Sequence, residues 1–458
     1  MSIKAISPLD GRYQHMLLAL SEYFSEWALM KYRVHVEVEW LIQLAESEWI
    51  PEVRSFRPDE VAFLRNITTN FDETEAHQIK KFEQTTRHDV KAVEYYVKSK
   101  LAHSPLEAWK EFVHFACTSE DINNLSHGLM LKQAIAQVWL PLARKMVAQV
   151  AAMAQQAASI AMLAHTHGQP ATPTTLGKEL AVFVHRWQRQ LKQVENLEYL
   201  GKLNGAVGNY NAHVFAYPDV PWQEIARNFV ERLGLTFNPL TTQIESHDYM
   251  AEIFQAIIRF NTITLDFDRD MWSYISLGYF KQRTVEGEVG SSTMPHKVNP
   301  IHFENAEANF IISSALFDCL ANKLPVSRLQ RDLSDSSALR NMGVGFGHSY
   351  LALLSTIKGM EGVSVNEQVI QDALANSWEV LGEAVQTLMR KYGHENPYEK
   401  LKALTRGHEV VAEEMKRFVR DLQVSPEDKK RLLEMEPQSY IGLAPQLVEH
   451  IFEDDRLS

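Results

Sequence analysis

The sequence predicts an all-α protein organised around a central bundle of long helices. Apolar residues recur every three to four positions through several long runs, and short segments rich in Gly and Pro join those runs. The length, 458 residues, suffices for roughly three domains or for one large helical body with end pieces. The expected division is a mixed, mainly helical N-terminal domain over 1–105, the long-helix bundle over 106–360 and a smaller helical domain over 361–458.

In chain order, Leu9-Asp10-Gly11-Arg12-Tyr13 reads as a turn. Residues 22–48 read as helix against one conflict. Val34, Val36, Val38 and Trp40 alternate with other residues at a strand period, and the helical flanks decide for helix. A break at Ser104-Pro105 ends the first domain. Residues 127–163 carry Ala, Leu, Met, Val and Gln at helical spacing, and Pro141 either kinks this helix or starts a second one. Residues 174–200, 248–282, 301–323 and 336–359 complete the set of amphipathic runs. Long helices with apolar stripes on more than one side pack against other subunits as well, so a homo-oligomer is expected. Near the C-terminus, Ser425-Pro426-Glu427-Asp428 supplies an N-cap, a proline at the first helical position and acids in the first turn.

The chain carries 46 basic against 58 acidic side chains, a net charge of −12. That balance argues against nonspecific nucleic-acid binding and against an anionic membrane surface, and leaves room for a small anionic ligand held by a few local cations. Cys117 and Cys319 are the only cysteines, which points to a reducing compartment, no disulfide framework and a cytoplasmic location. The first residues hold no long apolar region, so no signal peptide is expected. The most alanine-rich run, 147–164, is interrupted by Gln155 and Gln156 and is not a membrane span.

Five polar clusters carry the candidate chemistry. The most informative is Gly290-Ser291-Ser292-Thr293-Met294-Pro295-His296-Lys297-Val298-Asn299-Pro300, led in by Glu286-Gly287-Glu288-Val289. Its glycines and prolines exclude a regular helix or a packed strand. Its hydroxyls, cation and amide suit a lid that closes on an anion. The second, Thr166-His167-Gly168-Gln169-Pro170-Ala171-Thr172-Pro173, puts a histidine at an expected helix end, where it is either a cap or an acid/base group. His165 and His167 form an H-x-H pair, but no second cluster with ligand spacing accompanies it, so no metal is expected.

The third cluster, Cys117-Thr118-Ser119-Glu120-Asp121-Ile122-Asn123-Asn124, offers two hydroxyls at a helix start, either as a simple N-cap or as an anion-binding end. The fourth is Thr86-Arg87-His88-Asp89-Val90-Lys91. The fifth is Arg328-Leu329-Gln330-Arg331-Asp332, with Ser336-Ser337-Ala338-Leu339-Arg340 after it. Their arginines suit bidentate contacts to phosphate or carboxylate and, taken singly, fit surface ion pairs equally well. Gly343-Val344-Gly345-Phe346-Gly347 is a decoy that lacks dinucleotide spacing and a preceding strand.

Together these runs closely resemble the fumarase/aspartase superfamily, whose signature is the 290–300 loop, and within it the bacterial adenylosuccinate lyase family. The resemblance extends along nearly the whole chain. It includes Asp10-Gly11-Arg12-Tyr13, His88 to Tyr95, His114 to Asn124, Thr166 to Pro173, Asn204-Gly205-Ala206-Val207-Gly208-Asn209-Tyr210-Asn211 and Ser327 to Asp332. Arg87 stands where some relatives carry asparagine.

The resemblance implies an all-α, three-domain fold in which four subunits pool their central helices, with each active site drawn from three chains. It implies elimination of fumarate from two succinyl-amino nucleotides, adenylosuccinate and succinylaminoimidazole-carboxamide ribotide, with no cofactor. It gives Ser291 as base, His167 as acid and Glu304 as the carboxylate that orients the histidine. Lys297, Asn299, Asn305, Ser292, Thr118, Ser119 and Gln243 would hold the succinyl carboxylates and the base. Arg12, Tyr13, Arg87, His88, Asp89, Arg331, Ser336 and Arg340 would hold the phosphate, the ribose and nearby groups. Two alternatives stand beside it. One is a non-catalytic helical relative, against which the retention of Ser291, Lys297 and His167 speaks. The other is a lyase of the same fold acting on argininosuccinate or aspartate.

Overall fold

The structure, a computed structural model, describes residues 3–283, 294, 298–405 and 410–453. It is mostly helical. Among the described residues the only sheets are three two-stranded ribbons: Ala161–Thr166 with Gln169–Thr175 antiparallel, Leu200–Gly201 with Thr236–Phe237 parallel, and Phe280–Gln282 with Val363–Val365 antiparallel. The chain forms two compact units. The first comprises Met1–Leu142, Gln190–Thr262 and Ala308–Ala352, and the second Ala143–Arg189, Ile263–Glu307 and Leu353–Ser458.

In the first unit, the strand-like alternation at 34–40 belongs to a helix, Glu26–Glu46, N-capped by Ser25, whose hydroxyl accepts the Ala28 N–H. The period has a packing cause. Val36, Trp40 and Leu44 face one core cluster, while Val34, Val38 and Leu41 face another. Residues two apart lie about 200° apart around a helix. Burying both faces therefore puts apolar side chains at every second position, and Val34, Val36, Val38 and Trp40 are all completely buried.

The expected helix at 127–163 divides differently. Ser119–Ala134 leads into a π turn, Ile135–Trp139, and then into Leu140–Gln156. The Leu140 N–H reaches back five residues to the Ile135 carbonyl. This wider turn lies directly before Pro141, which has no N–H to donate. The last residues of the expected run, 161–163, open the Ala161–Thr166 strand instead of ending a helix. The other runs also shift at their ends. The 174–200 run is helix only over Leu176–Glu195, and the 248–282 run ends at Ser276. Residues 336–359 are two helices, Ser334–Leu339 and Met342–Glu361. The expected Ile301–Lys323 helix and the Ser425 cap of Pro426–Glu434 are present, with the Ser425 hydroxyl accepting the Asp428 N–H.

The glycine decoy lies inside Met342–Glu361, where its job is close packing. A Cβ on Gly345 would lie 2.7 Å from the Phe317 ring, and one on Gly343 would lie 2.5 Å from Phe24. Buried polar groups join the helices of this unit: Trp139 Nε1 donates to Ser349 Oγ (2.9 Å), Ser349 to Asn261 (2.9 Å) and Asn261 to Ser313 (3.1 Å). The second unit packs Leu163 of the Ala161–Thr166 strand into a core with Leu374, Leu381, Val385, Met389 and Val419. None of the helices among the described residues is long and apolar enough to cross a membrane.

Candidate active site

The first unit carries eleven of the candidate site residues. Arg12 and Tyr13 follow a turn closed by the Tyr13 N–H on the Pro8 carbonyl (2.9 Å), and the Arg12 guanidinium stands 5.7 Å from the Tyr13 ring centre. Arg87 ends the Glu73–Thr86 helix in the left-handed region (φ 52°). His88 then caps Asp89–Leu101, its Nδ1 accepting the Lys91 N–H (3.2 Å). Both side chains are exposed. Thr118 is the N-cap of Ser119–Ala134, and its N–H donates to the Asp121 carboxylate (2.8 Å). Thr118 and Ser119 therefore stand at the start of a helix, as the sequence leads one to expect, and Asp121 closes a capping box there.

Asp89, Gln243, Arg331 and Arg340 belong to one continuous set of polar bonds. Arg340 Nη2 donates to Asp89 Oδ2 (3.1 Å), and Arg33 Nη2 donates to the same oxygen (2.8 Å). Arg33 Nε donates to Asn123 Oδ1 (2.9 Å), and Asn123 Nδ2 to Glu120 Oε1 (2.6 Å). Arg331 Nη2 meets the same Glu120 oxygen (2.8 Å), and its Nη1 donates to Gln243 (3.1 Å). Gln243 in turn donates to the Ala206 carbonyl (2.8 Å). Burial would raise the Asp89 carboxyl pKa. The charge and hydrogen bond of Arg33, with the Val90 amide and Arg340, outweigh it and hold the group below its ordinary range.

Ser336 sits in Ser334–Leu339, its N–H donating to Asp335 (2.7 Å). Asp335 lies 3.8 Å from the buried imidazole of His247, which itself lies 3.8 Å from Glu245. Burial opposes ionisation of Asp335, and His247, the Ser336 amide and Arg331 overcome it and lower the pKa. Deep burial, with Arg33 nearby, drives the His127 imidazole down to about 3, so it is neutral.

Sequence reasoning assigned no role to Arg33, Glu120, Asn123, Lys202 or His247. Glu120 and Asn123 lie inside a run singled out above, yet their partners are distant in sequence. Arg33 carries no local signal at all. A guanidinium on a two-faced buried helix is identified by its long-range contacts alone.

The second unit carries His167, Asn299, Glu304 and Asn305. His167 is not at a helix end. It occupies the first tip position of the 161–175 hairpin, followed by Gly168, with Thr166 paired to Gln169. Both tip residues have positive φ, 54° and 74°, the signature of a type I′ turn. A non-glycine residue in this region stores strain, which is common at functional positions. The His167 side chain is exposed. The hairpin is tied at Thr172, whose hydroxyl donates to Glu383 (2.5 Å), and Glu383 also accepts from Tyr440 (3.2 Å).

Glu304 and Asn305 lie in the first turns of Ile301–Lys323, just after Asn299. Glu304 accepts from the Trp272 indole (3.1 Å), and Asn305 accepts from Ser355 (2.9 Å). Among the described residues no hydrogen bond or ion pair joins His167 to Glu304. Ser291, Ser292 and Lys297 lie outside the described residues.

What this arrangement offers chemically is a set of guanidinium and amide donors, Arg331 held by buried Glu120 and Arg340 by partly buried Asp89, in one unit, and an exposed imidazole on a strained turn in the other. The donors suit anions, and the imidazole is a group that can accept or donate a proton.

Comparison with known proteins gives the family. A family-sequence model described as "Lyase" matches residues 11–311, and one described as "Adenylosuccinate lyase C-terminal" matches residues 327–441. The adenylosuccinate lyase of Escherichia coli (strain K12) is 54% identical over 451 residues, covering 98% of this chain and 99% of its own. Those of Vibrio cholerae and Haemophilus influenzae are each 53% identical at the same coverage. Among solved structures, 3-carboxy-cis,cis-muconate lactonizing enzyme from Pseudomonas putida matches with a TM-score of 0.72 at 21% identity, over 96% of this chain and 97% of its own. Beta-carboxy-cis,cis-muconate cycloisomerase from Acinetobacter calcoaceticus sp. ADP1 matches with a TM-score of 0.70 at 18% identity, over 94% and 97%. These two establish the shared mostly-α fold.

Proposed function

Because the chain belongs to the adenylosuccinate lyase family, we propose that it eliminates fumarate from adenylosuccinate, giving AMP, and from succinylaminoimidazole-carboxamide ribotide, in purine nucleotide synthesis. The observation that carries this reading is identity above one half with adenylosuccinate lyases over nearly the full length of both chains. The set of guanidinium and amide donors in the first unit supports a substrate rich in phosphate and carboxylate groups.

The reaction removes a proton from a carbon next to a carboxylate, breaks the adjacent carbon–nitrogen bond and returns a proton to the departing nitrogen. The intermediate carries its charge on a carboxylate and needs strong local positive charge. Ser291 takes the proton. A serine hydroxyl is a poor base in water, and Lys297 with backbone amides would stabilise the alkoxide once water is excluded. His167 protonates the leaving nitrogen, and Glu304 orients it. Asn299, Asn305, Ser292, Thr118, Ser119 and Gln243 hold the carboxylates. Arg12, Tyr13, Arg87, His88, Asp89, Arg331, Ser336 and Arg340 hold the nucleotide.

The working form is a homotetramer of three-domain subunits, divided at 1–105, 106–360 and 361–458, with each site drawn from three chains. The exposed His167 supports this. So do Trp272, Ile311 and Ile312 on the long helices, each close to half exposed in the single chain.

The test is to add purified protein to each succinyl-amino nucleotide and follow the ultraviolet change as fumarate forms. Conversion of both supports the reading. Conversion of adenylosuccinate alone narrows it to one substrate. No conversion by an intact oligomer moves the reading to another amino-succinyl substrate or to the non-catalytic relative.

A further inference from the structure

Two guanidinium groups share a single carboxylate oxygen, Asp89 Oδ2, on very different terms. Arg33 is 4% exposed at its side chain and is held at a second point by Asn123 Oδ1. Arg340 is 44% exposed and reaches Asp89 through one nitrogen, Nη2. The other carboxylate oxygen takes the Val90 N–H (2.9 Å). The remaining charges around this crevice are accounted for. Glu26 and Glu83 are both paired with Lys80, at 2.8 and 2.7 Å, and the His88 imidazole stands 3.8 Å from Asp89 Oδ1.

We infer that Arg33 is a positioning residue: it keeps Asp89 compensated, so that Arg340 can leave that carboxylate for the phosphate of an incoming nucleotide. The inference rests on the reading above that Arg340 is among the residues that hold the nucleotide, and takes the phosphate as the group it meets. Its physical basis is the cost of a partly buried carboxylate stripped of its cation, which is large unless another cation stays in place. Arg33 cannot leave, because moving it would strand a buried guanidinium. Arg340 loses one single-point bond and gains a phosphate that accepts two parallel bonds. With Arg33 present the exchange leaves Asp89 with a charge partner and an amide. With Arg33 absent, Arg340 becomes the sole cation of Asp89, and phosphate must compete for it.

The experiment is a phosphorus NMR titration of the full-length protein with inorganic phosphate, a probe that avoids any ribose contact of Asp89. Arg33→Met should weaken phosphate binding about tenfold, and with Asp89→Asn as background the same substitution should cost less than about threefold, since Arg33 acts through Asp89. Unchanged binding in Arg33→Met, or an equal tenfold loss in both backgrounds, would overturn the inference. Should Arg33→Met fail to fold, the comparison of Arg33→Met/Asp89→Asn with Asp89→Asn decides alone, because that pair contains no stranded carboxylate. A tenfold loss there overturns the inference, and a loss under threefold supports it. Arg340→Ala is the separate check on the underlying reading. Undiminished phosphate binding in that variant removes Arg340 from the phosphate site, whatever Arg33 does.

Discussion

Lys202 and Asp121 form an ion pair of 2.8 Å in which neither side chain is exposed. Asp121 also accepts the backbone N–H groups of Thr118 (2.8 Å), Asn204 (3.0 Å) and Gly205 (3.1 Å). One carboxylate thus fastens the start of the Ser119–Ala134 helix to the 202–205 segment and leads on to the loop whose Ala206 carbonyl holds Gln243. Removing one partner of a buried pair strands the other, so Asp121→Ala should cost about 3–5 kcal/mol. Denaturant unfolding at fixed protein concentration measures it. The double substitution Asp121→Asn/Lys202→Met should cost clearly less, and equal costs would mean that the charge pair is not the source of the loss.

Gly208 tests the same loop by shape rather than charge. Its φ is 83°, and a Cβ there would lie 2.2 Å from the Thr241 carbonyl oxygen. Gly208→Ala combines a backbone conformation that L residues avoid with a contact that neither backbone can relieve cheaply. The strain alone is worth about 1–3 kcal/mol. Because Thr241 lies two residues from Gln243, kcat/KM should fall along with the melting temperature. A variant with wild-type melting and activity would show that the loop can shift without consequence.

The long helices, the Thr118 and Ser425 caps and the charged clusters were legible in the sequence because each rests on local periodicity or local capping chemistry. The hairpin that carries His167 was not. The alanine-rich run before it has no breaker between Gln156 and Leu163, and the strand exists only because 161–166 finds a partner in 169–175. The His167-Gly168 pair was the available signal, since two residues with φ above zero between short runs make a type I′ turn. The Arg33–Asp89–Arg340 relation was beyond local reading, because its three residues come from segments far apart in the chain, Arg33 and Asp89 on two helices and Arg340 in the turn after a third.

The His114–Glu37 pair predicts how stability varies with pH. His114 Nδ1 lies 2.6 Å from a Glu37 carboxylate that is fully buried. Burial works to lower the imidazole pKa, and the charge and hydrogen bond of Glu37, aided by Glu94, overcome it and raise the pKa above 6.5. A raised folded-state value means that the charged histidine stabilises fully below its unfolded value and that this contribution is lost as pH rises through the folded value. Chemical unfolding should therefore show stability declining from about pH 6.5 upward. His114→Asn suits the left-handed backbone at this position (φ 62°) and should flatten that decline. An unchanged slope in the variant would assign the pH dependence to other groups.

The exposed position of His167 leads to a prediction about assembly. If the acid and the base of one site come from different chains, a His167→Ala chain and a Ser291→Ala chain are each inactive alone yet complementary together. Each substitution should lower turnover by roughly a hundredfold or more, the usual share of one acid/base group. When the two variants are unfolded, mixed equally and re-formed, a site is complete only where its histidine comes from the Ser291→Ala chain and its serine from the His167→Ala chain. Random assembly makes that about one site in four. Activity should therefore return to about a quarter of the wild-type rate and vary with the mixing ratio, with its maximum at equal amounts. Verified mixed oligomers that stay at the level of either parent would put both residues of each site on one chain.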